Sequence, residues 1–252
     1  MIDLCFSNNL FENISHVIFD KDGTISDSHL YWGEIIRRRS VLLSYHCRPS
    51  IVDQHEIEFA MGYDHVLRKL VREGPIAIKN RDEVIDILHK FLASKGVVLE
   101  PSLISAIFEE VHLTFCDQSM DFIEPISGVK EFIISLKQND IPISLVTSDT
   151  ERGARNTLLK MGLENDFEFV AGKDSGLGHK VTGRPAEAAC KYVGRSLNNT
   201  LVLGDAPMDF TMARNAGINN IILIASGQIP LSDLCKLTPS CDNISQISIL
   251  PK

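Results

Sequence analysis

The sequence predicts an α/β fold, a doubly wound parallel sheet interrupted near its start by an inserted all-helical domain. From about residue 128 onward, apolar strand-like runs alternate with stretches of helical periodicity. Gly162, Gly194 and Gly217 each follow one of those helical stretches, where a C-terminal cap belongs. Residues 28–124, by contrast, hold helical apolar spacing and no comparable strand. Strands separated by helices of this length need crossover connections, and these give a parallel sheet covered on both faces.

The first strand is the run His16-Val17-Ile18-Phe19, which stops at Asp20; a second carboxylate, Asp22, and the turn Gly23-Thr24 follow. In the insert, Ile35, Ile36, Leu42 and Leu43 mark a first helix, and residues 53–73 carry a less regular pattern. Val84, Ile87, Leu88, Phe91 and Leu92 form one apolar helix face, with Asn80 and Glu83 placed as a capping box and Gly96 past the end. Ile104, Ile107, Phe108, Val111 and Phe115 form another, and Pro125 and Gly128 mark the return to the sheet. A helix then runs through Val129, Phe132, Ile133 and Leu136, and a strand over 142–146 leads into Thr147. Helices over 151–161, 185–193 and 207–216 alternate with strands over 167–170, 201–203 and 221–225. The core domain is thus expected over 1–27 and 125–252, with the insert over 28–124.

Composition narrows the function. A chain of 252 residues, 44% hydrophobic and 23% charged, has ample core to bury. A formal charge of −8 without a long basic run argues against nucleic acid and against an anionic membrane surface. No stretch approaches the roughly 18 apolar residues of a membrane span, and the N-terminus lacks a signal-peptide pattern, so a cytoplasmic protein is expected. The 6 cysteines show no C-x-x-C spacing, which removes zinc-ribbon and thioredoxin-like readings and leaves small buried thiols.

Asp20, Thr147 and Asp205 each stand at the end of a strand run, and in a parallel sheet those ends open on one edge, where ligands bind. Asp209 lies one helical turn beyond Asp205. Hard oxygen donors in that number suit Mg²⁺ better than zinc. Taken singly the residues mean less: a carboxylate like Asp209 commonly serves a helix N-terminus, and Thr is common in strands. The set, in order and at strand ends, is what points to chemistry.

Asp20-Lys21-Asp22-Gly23-Thr24 resembles the first motif of the haloacid dehalogenase-like hydrolases, Thr147 after Ser144-Leu145-Val146 their second, and Gly204-Asp205-Ala206-Pro207-Met208-Asp209 their fourth. Lys180 fits the third by its separation from Asp205, as in phosphoglycolate phosphatase-like members, although Val181 replaces the usual Pro and Arg184-Pro185 competes for the alignment. Segments around Thr147-Ser148-Asp149 and Ala171 to Gly176 resemble the same subgroup. The resemblance implies a Rossmann-like core with a helical cap domain and Mg²⁺-dependent phosphatase activity. Asp20 would be the nucleophile forming an aspartyl-phosphate and Asp22 the general acid and base. Thr147, Ser148 and Lys180 would bind phosphate. Asp20, the Asp22 carbonyl and Asp205 would hold the metal, with Asp209 reaching it through water.

A small phosphorylated metabolite follows as substrate, either a phosphoglycolate-like acid or a sugar phosphate, acted on by a monomer or homodimer. A phosphomutase of the β-phosphoglucomutase kind is the alternative enzyme. A phospho-accepting receiver domain or a catalytically silent binding protein is the alternative outside catalysis. Asp22 and the long helical insert argue against a receiver. Arg37, Arg38 and Arg39 could reach an anionic substrate, but three successive helical residues point in different directions, which favours a solvated face. His16, His112 and His179 lack metal-ligand spacing, and His179 stands out only for preceding Lys180.

Overall fold

The computed structural model describes residues 1–47, 51–116 and 119–250. Two compact units make up the chain: Met1–Asp27 with Ile123–Lys252, and Ser28–Phe122.

The first unit opens with β1 (Ile2–Phe6) and β2 (Asn9–Ile14), which pair antiparallel. β3 (His16–Phe19) follows, and all of its residues are buried, as a strand covered on both faces requires.

The second unit holds α1 (Ser28–Ser44), α2 (Gln54–Met61), α3 (Pro75–Ile78), α4 (Arg81–Ser94) and α5 (Pro101–Cys116). It is not wholly helical. Between α2 and α3, β4 (Tyr63–Asp64) and β5 (Lys69–Leu70) pair as a short antiparallel hairpin. Its turn is stapled by the Asp64 carboxylate, which accepts from the backbone N–H of Val66 and of Leu67. Two-residue strands carry too few alternating positions for the sequence pattern to reveal. α4 starts with the capping box expected: Asn80 Oδ1 accepts from Glu83 N at 3.0 Å, and Glu83 Oε2 accepts from Asn80 N at 3.0 Å. Leu43, Ile57, Leu88, Leu92 and Phe108 are fully buried at the centre of this unit. Each such side chain contributes about 1.5–3 kcal/mol of burial, and truncating Leu88 to Ala should cost about 2–5 kcal/mol. Of the three arginines of α1, Arg37 is exposed and Arg38 half-buried, and only Arg39 departs from the solvated face expected. Arg37 and Arg38 pair with Glu34, whereas Arg39 is buried with its guanidinium 3.8 Å from the Phe108 ring centroid.

The chain returns to the first unit through α6 (Val129–Gln138), β6 (Ile143–Val146), α7 (Glu151–Met161), β7 (Phe169–Ala171), α8 (Arg184–Val193), β8 (Thr200–Gly204), α9 (Pro207–Asn215) and β9 (Asn220–Ile224). A short α10 (Leu231–Leu234), β10 (Ser240–Cys241) and β11 (Ser248–Leu250) complete it. β11 pairs with β1, closing a three-stranded antiparallel sheet in the order β11-β1-β2. The main sheet runs β10-β9-β8-β3-β6-β7, and every neighbouring pair in it is parallel.

Strand alternation decides the core. Ile18 faces Val146, Val202, Ala186 and Met212 on one side of the sheet. Phe19 faces the other side, edge-on to Phe132 and Phe167 at ring-centroid distances of 6.3 and 5.9 Å. β3 pairs with β8 on one side and β6 on the other, so the chain leaves β3 in opposite directions along the sheet. A crevice opens at the carboxyl end of a sheet where the order reverses in this way.

Candidate active site

Three neighbouring strands present their carboxyl ends at that crevice: Asp20 follows β3, Thr147 follows β6 and Asp205 follows β8. Asp20 and Thr147 are buried, and the backbone of each continues the sheet, Asp20 N donating to Leu203 O and Thr147 N to Ala171 O. Asp209 sits in the first turn of α9. Its Oδ2 accepts from the backbone N–H of Asp205 at 3.2 Å and of Ala206 at 3.1 Å, so it caps its own helix while closing the β8–α9 turn. Lys180, in a 3₁₀ turn before α8, is buried and ion-paired with both Asp20 and Asp209.

Carboxylate oxygens of Asp20, Asp205 and Asp209 lie within 4.8 Å of one another. Three carboxylates therefore share a buried crevice with one ammonium. Burial pushes the Asp20 carboxyl up to about 7; Lys180 pulls it down and Asp209 adds to the rise. Asp205 is raised as well, by burial first and then by Asp20 and Asp209. Burial disfavours the Lys180 ammonium, but Asp20 and Asp209 outweigh it and hold the charge above the ordinary lysine range. Asp209 Oδ1 is buried and 2.6 Å from Lys180 Nζ, so the ammonium bridges Asp20 and Asp209. Three carboxylates against one ammonium leave an excess of negative charge, and their hard oxygen donors fit a divalent cation such as Mg²⁺.

A second charged set adjoins the first. Lys21, between the two carboxylates of the opening motif, is buried, and its Nζ lies 2.9 Å from Asp22 Oδ1 and 3.0 Å from Asp149 Oδ2. Burial opposes its charge, but Asp22 and Asp149 raise it above the ordinary range. Ser26 Oγ also donates to Asp22 Oδ1, at 3.2 Å. The Asp22 carboxylate is thereby turned through Oδ1 toward Lys21 and Ser26, while its charge still adds to the rise of Asp20 and Asp205.

Of the residues expected from sequence, Asp20, Asp205, Asp209 and Lys180 are brought into direct proximity, and Thr147 ends the adjacent strand. Ser148 is exposed, with Oγ against Met208 Sδ at 3.3 Å. Arg184 is exposed at the start of α8, so Lys180 and not Arg184 supplies the buried cation. His179 Nδ1 accepts from Val181 N at 3.4 Å, capping the turn that carries Lys180. No role for Lys21, Asp149 or Gly227 was legible in the sequence, and Gly23 was legible only as a turn. Gly23 and Gly227 back onto Asp205, where an added Cβ would lie 2.2 and 1.7 Å from Oδ2. Ser226 Oγ donates to Gly23 O at 2.6 Å and ties the two glycine segments together. Only the Gly23 turn, φ +80°, had a signal in sequence, the Asp-Gly pair.

The haloacid dehalogenase-like hydrolase family profile matches residues 17–223, a span that includes Asp20 through Asp209. The chain belongs to that family. It is 24% identical over 211 residues to a phosphoglycolate phosphatase of Caulobacter vibrioides, covering 84% of this chain and 79% of the relative. Pyrophosphatase PpaX of Halalkalibacterium halodurans is 26% identical over 101 residues, covering 40% of this chain and 47% of that protein. Among solved structures, CbbY from Rhodobacter sphaeroides, in complex with phosphate, superposes with a TM-score of 0.62 at 16% identity, covering 92% of this chain and 95% of that one. Among the described residues no helix is long and apolar enough to cross a membrane.

Proposed function

We propose that the protein is a Mg²⁺-dependent phosphatase that hydrolyses a small phosphate monoester through a phosphorylated Asp20. The observation that carries this reading is the buried Asp20 carboxylate at the end of the central strand, fixed through Oδ1 by the Lys180 ammonium. The relatives named as phosphoglycolate phosphatase and pyrophosphatase, and the phosphate-bound CbbY, support phosphorus as the site of attack.

Asp20 Oδ2 attacks phosphorus in line, the bond to the leaving oxygen breaks, and Asp22 delivers a proton to that oxygen. Lys21 and Ser26 hold Asp22 Oδ1, which leaves Oδ2 to carry the proton. Asp22 then takes a proton from the water that attacks the phosphorylated Asp20, releasing inorganic phosphate and restoring the carboxylate. Thr147 and Lys180 stabilise the charge on the transferring oxygens, and Lys180 is pre-placed for this by Asp209. Asp20, Asp205 and the Asp22 main-chain oxygen would hold Mg²⁺, with Asp209 reaching it through water, and the ion would supply further neutralisation of phosphoryl charge. The unit Ser28–Phe122 corresponds to the cap domain of this reading, and the substrate is a phosphorylated acid or a sugar phosphate. A small anionic metabolite is the only partner the reaction needs, and the cytoplasm supplies it.

The test is a panel of phosphorylated acids, sugars and nucleotides assayed for phosphate release with Mg²⁺ and again with a chelator. Release that needs Mg²⁺ and is lost in Asp20→Asn supports the proposal. No release across the panel, or release unchanged in Asp20→Asn, would overturn it. Transfer to a second position on a sugar phosphate without free phosphate would instead indicate a phosphomutase.

A further inference from the structure

Outside the carboxylate crevice, the second unit gathers a different donor set. His55 and Glu58 are three residues apart on α2 and so share a helix face, and His65 comes from the loop between β4 and β5. The two imidazoles stack with ring centroids 3.7 Å apart and planes 12° from parallel. Glu58 is buried, and each of its oxygens has a defined task. Oε1 accepts from Ser40 Oγ at 3.0 Å and from Gln54 Nε2 at 2.9 Å, which turns Oε2 toward His55 Nδ1 at 2.9 Å. One ligand atom from each of His55, Glu58 and His65 lies within 4.8 Å of the other two. His55 and His65 open onto a cavity of about 560 Å³ that Phe59 and Phe91 also line, while Glu58 is buried and outside its lining.

We propose that His55, Glu58 and His65 form a binding site for a zinc-type divalent ion that clasps α2 to the β4–β5 hairpin. Two imidazoles and a carboxylate are donors for zinc and its neighbours in the first transition row, whereas Mg²⁺ prefers an all-oxygen set. The stacking brings the two imidazoles together beside a buried carboxylate that is already bonded to His55. Ser40 and Gln54 act as the orienting partners that ligating carboxylates require. Three protein ligands would leave a zinc ion's fourth position to water or a small anion, and His55 and His65 line the cavity that could supply either. The inference does not rest on the phosphatase reading, since no residue is shared between the two sites.

The experiment uses the full chain saturated with Mg²⁺, so that the carboxylate crevice is occupied, and then titrated with Zn²⁺. Imidazole resonances of His55 and His65 are followed by NMR, and zinc affinity by calorimetry. Both resonances are expected to shift with the first equivalent of zinc. His65→Ala and His55→Gln should each weaken binding by at least tenfold, and Ser40→Ala by roughly 10- to 100-fold. Loss of zinc affinity in the ligand variants while Mg²⁺-dependent phosphate release persists would support the site as separate. Unmoved His55 and His65 resonances at saturating zinc would overturn it whether or not the variants fold, and so would an unchanged isotherm in a folded His65→Ala.

Discussion

Gly227 lies so close to Asp205 that a Cβ on Gly227 would stand 1.7 Å from Asp205 Oδ2. No side chain can occupy that position without moving the carboxylate. Gly227→Ala should therefore displace Asp205 without removing any charge or hydrogen bond. Displacement of a ligand by about 1 Å can cost on the order of 10²-fold. The Mg²⁺ concentration for half-maximal phosphate release is expected to rise roughly 10- to 100-fold in Gly227→Ala. An unchanged metal requirement in a folded variant would remove Asp205 from the metal site.

Mg²⁺ binding should expel protons. Without a cation, burial and the neighbouring carboxylates raise Asp20 to about 7 and lift Asp205 as well. Below that pH Asp20 holds a proton that a divalent ion must displace, so apparent Mg²⁺ affinity falls as pH falls through 7. Calorimetry in buffers of different ionisation enthalpy reads the protons released. More should be released near pH 6 than near pH 8, and equal release at both would contradict the linkage.

Asp22 as general acid predicts a substrate-dependent loss. Asp22→Asn should slow alkyl phosphates by about 10²- to 10⁴-fold, yet spare p-nitrophenyl phosphate, whose leaving group needs little protonation. Lys21 bridges Asp22 and Asp149 at 2.9 and 3.0 Å, so Lys21→Met should disturb Asp22 and skew the same ratio in the same direction by a smaller factor. Equal losses on the two substrates would take Asp22 out of the acid role and Lys21 out of its support.

The sequence revealed those parts whose cause is local. His16 to Phe19 are all buried, and an unbroken apolar run is the pattern of a strand covered on both faces. The Asn80 and Glu83 capping box lies wholly within one helical turn. Asp20, Thr147 and Asp205 could be placed together because parallel strands open at one edge. Lys180 drew on resemblance to relatives, since nothing in its own neighbourhood marks a buried lysine. Other features depend on partners far along the chain. β1 pairs with β11 through Leu4 and Ile249, a match that no local pattern encodes. Lys21 reads as a surface charge until Asp149 is folded beside it. The fit of Gly227 against Asp205 exists only in the packed molecule.

His16 gives a prediction of stability, not catalysis. It is fully buried in β3, with Nε2 2.8 Å from Ser144 Oγ and Nδ1 3.4 Å from Thr200 Oγ1. Burial, with a smaller contribution from Arg195, lowers its pKa from 6.5 to about 4. The unfolded chain therefore binds a proton on this imidazole at a pH where the folded chain does not. Stability from the neutral ring is complete above 6.5 and is lost as pH falls from 6.5 toward 4, about 3 kcal/mol in all. Urea unfolding of the parent chain and of His16→Asn across that range separates this loss from the titration of carboxylates. The variant should start less stable at neutral pH and fall less steeply on acidification, and parallel curves for the two proteins would show that His16 carries its proton in the fold.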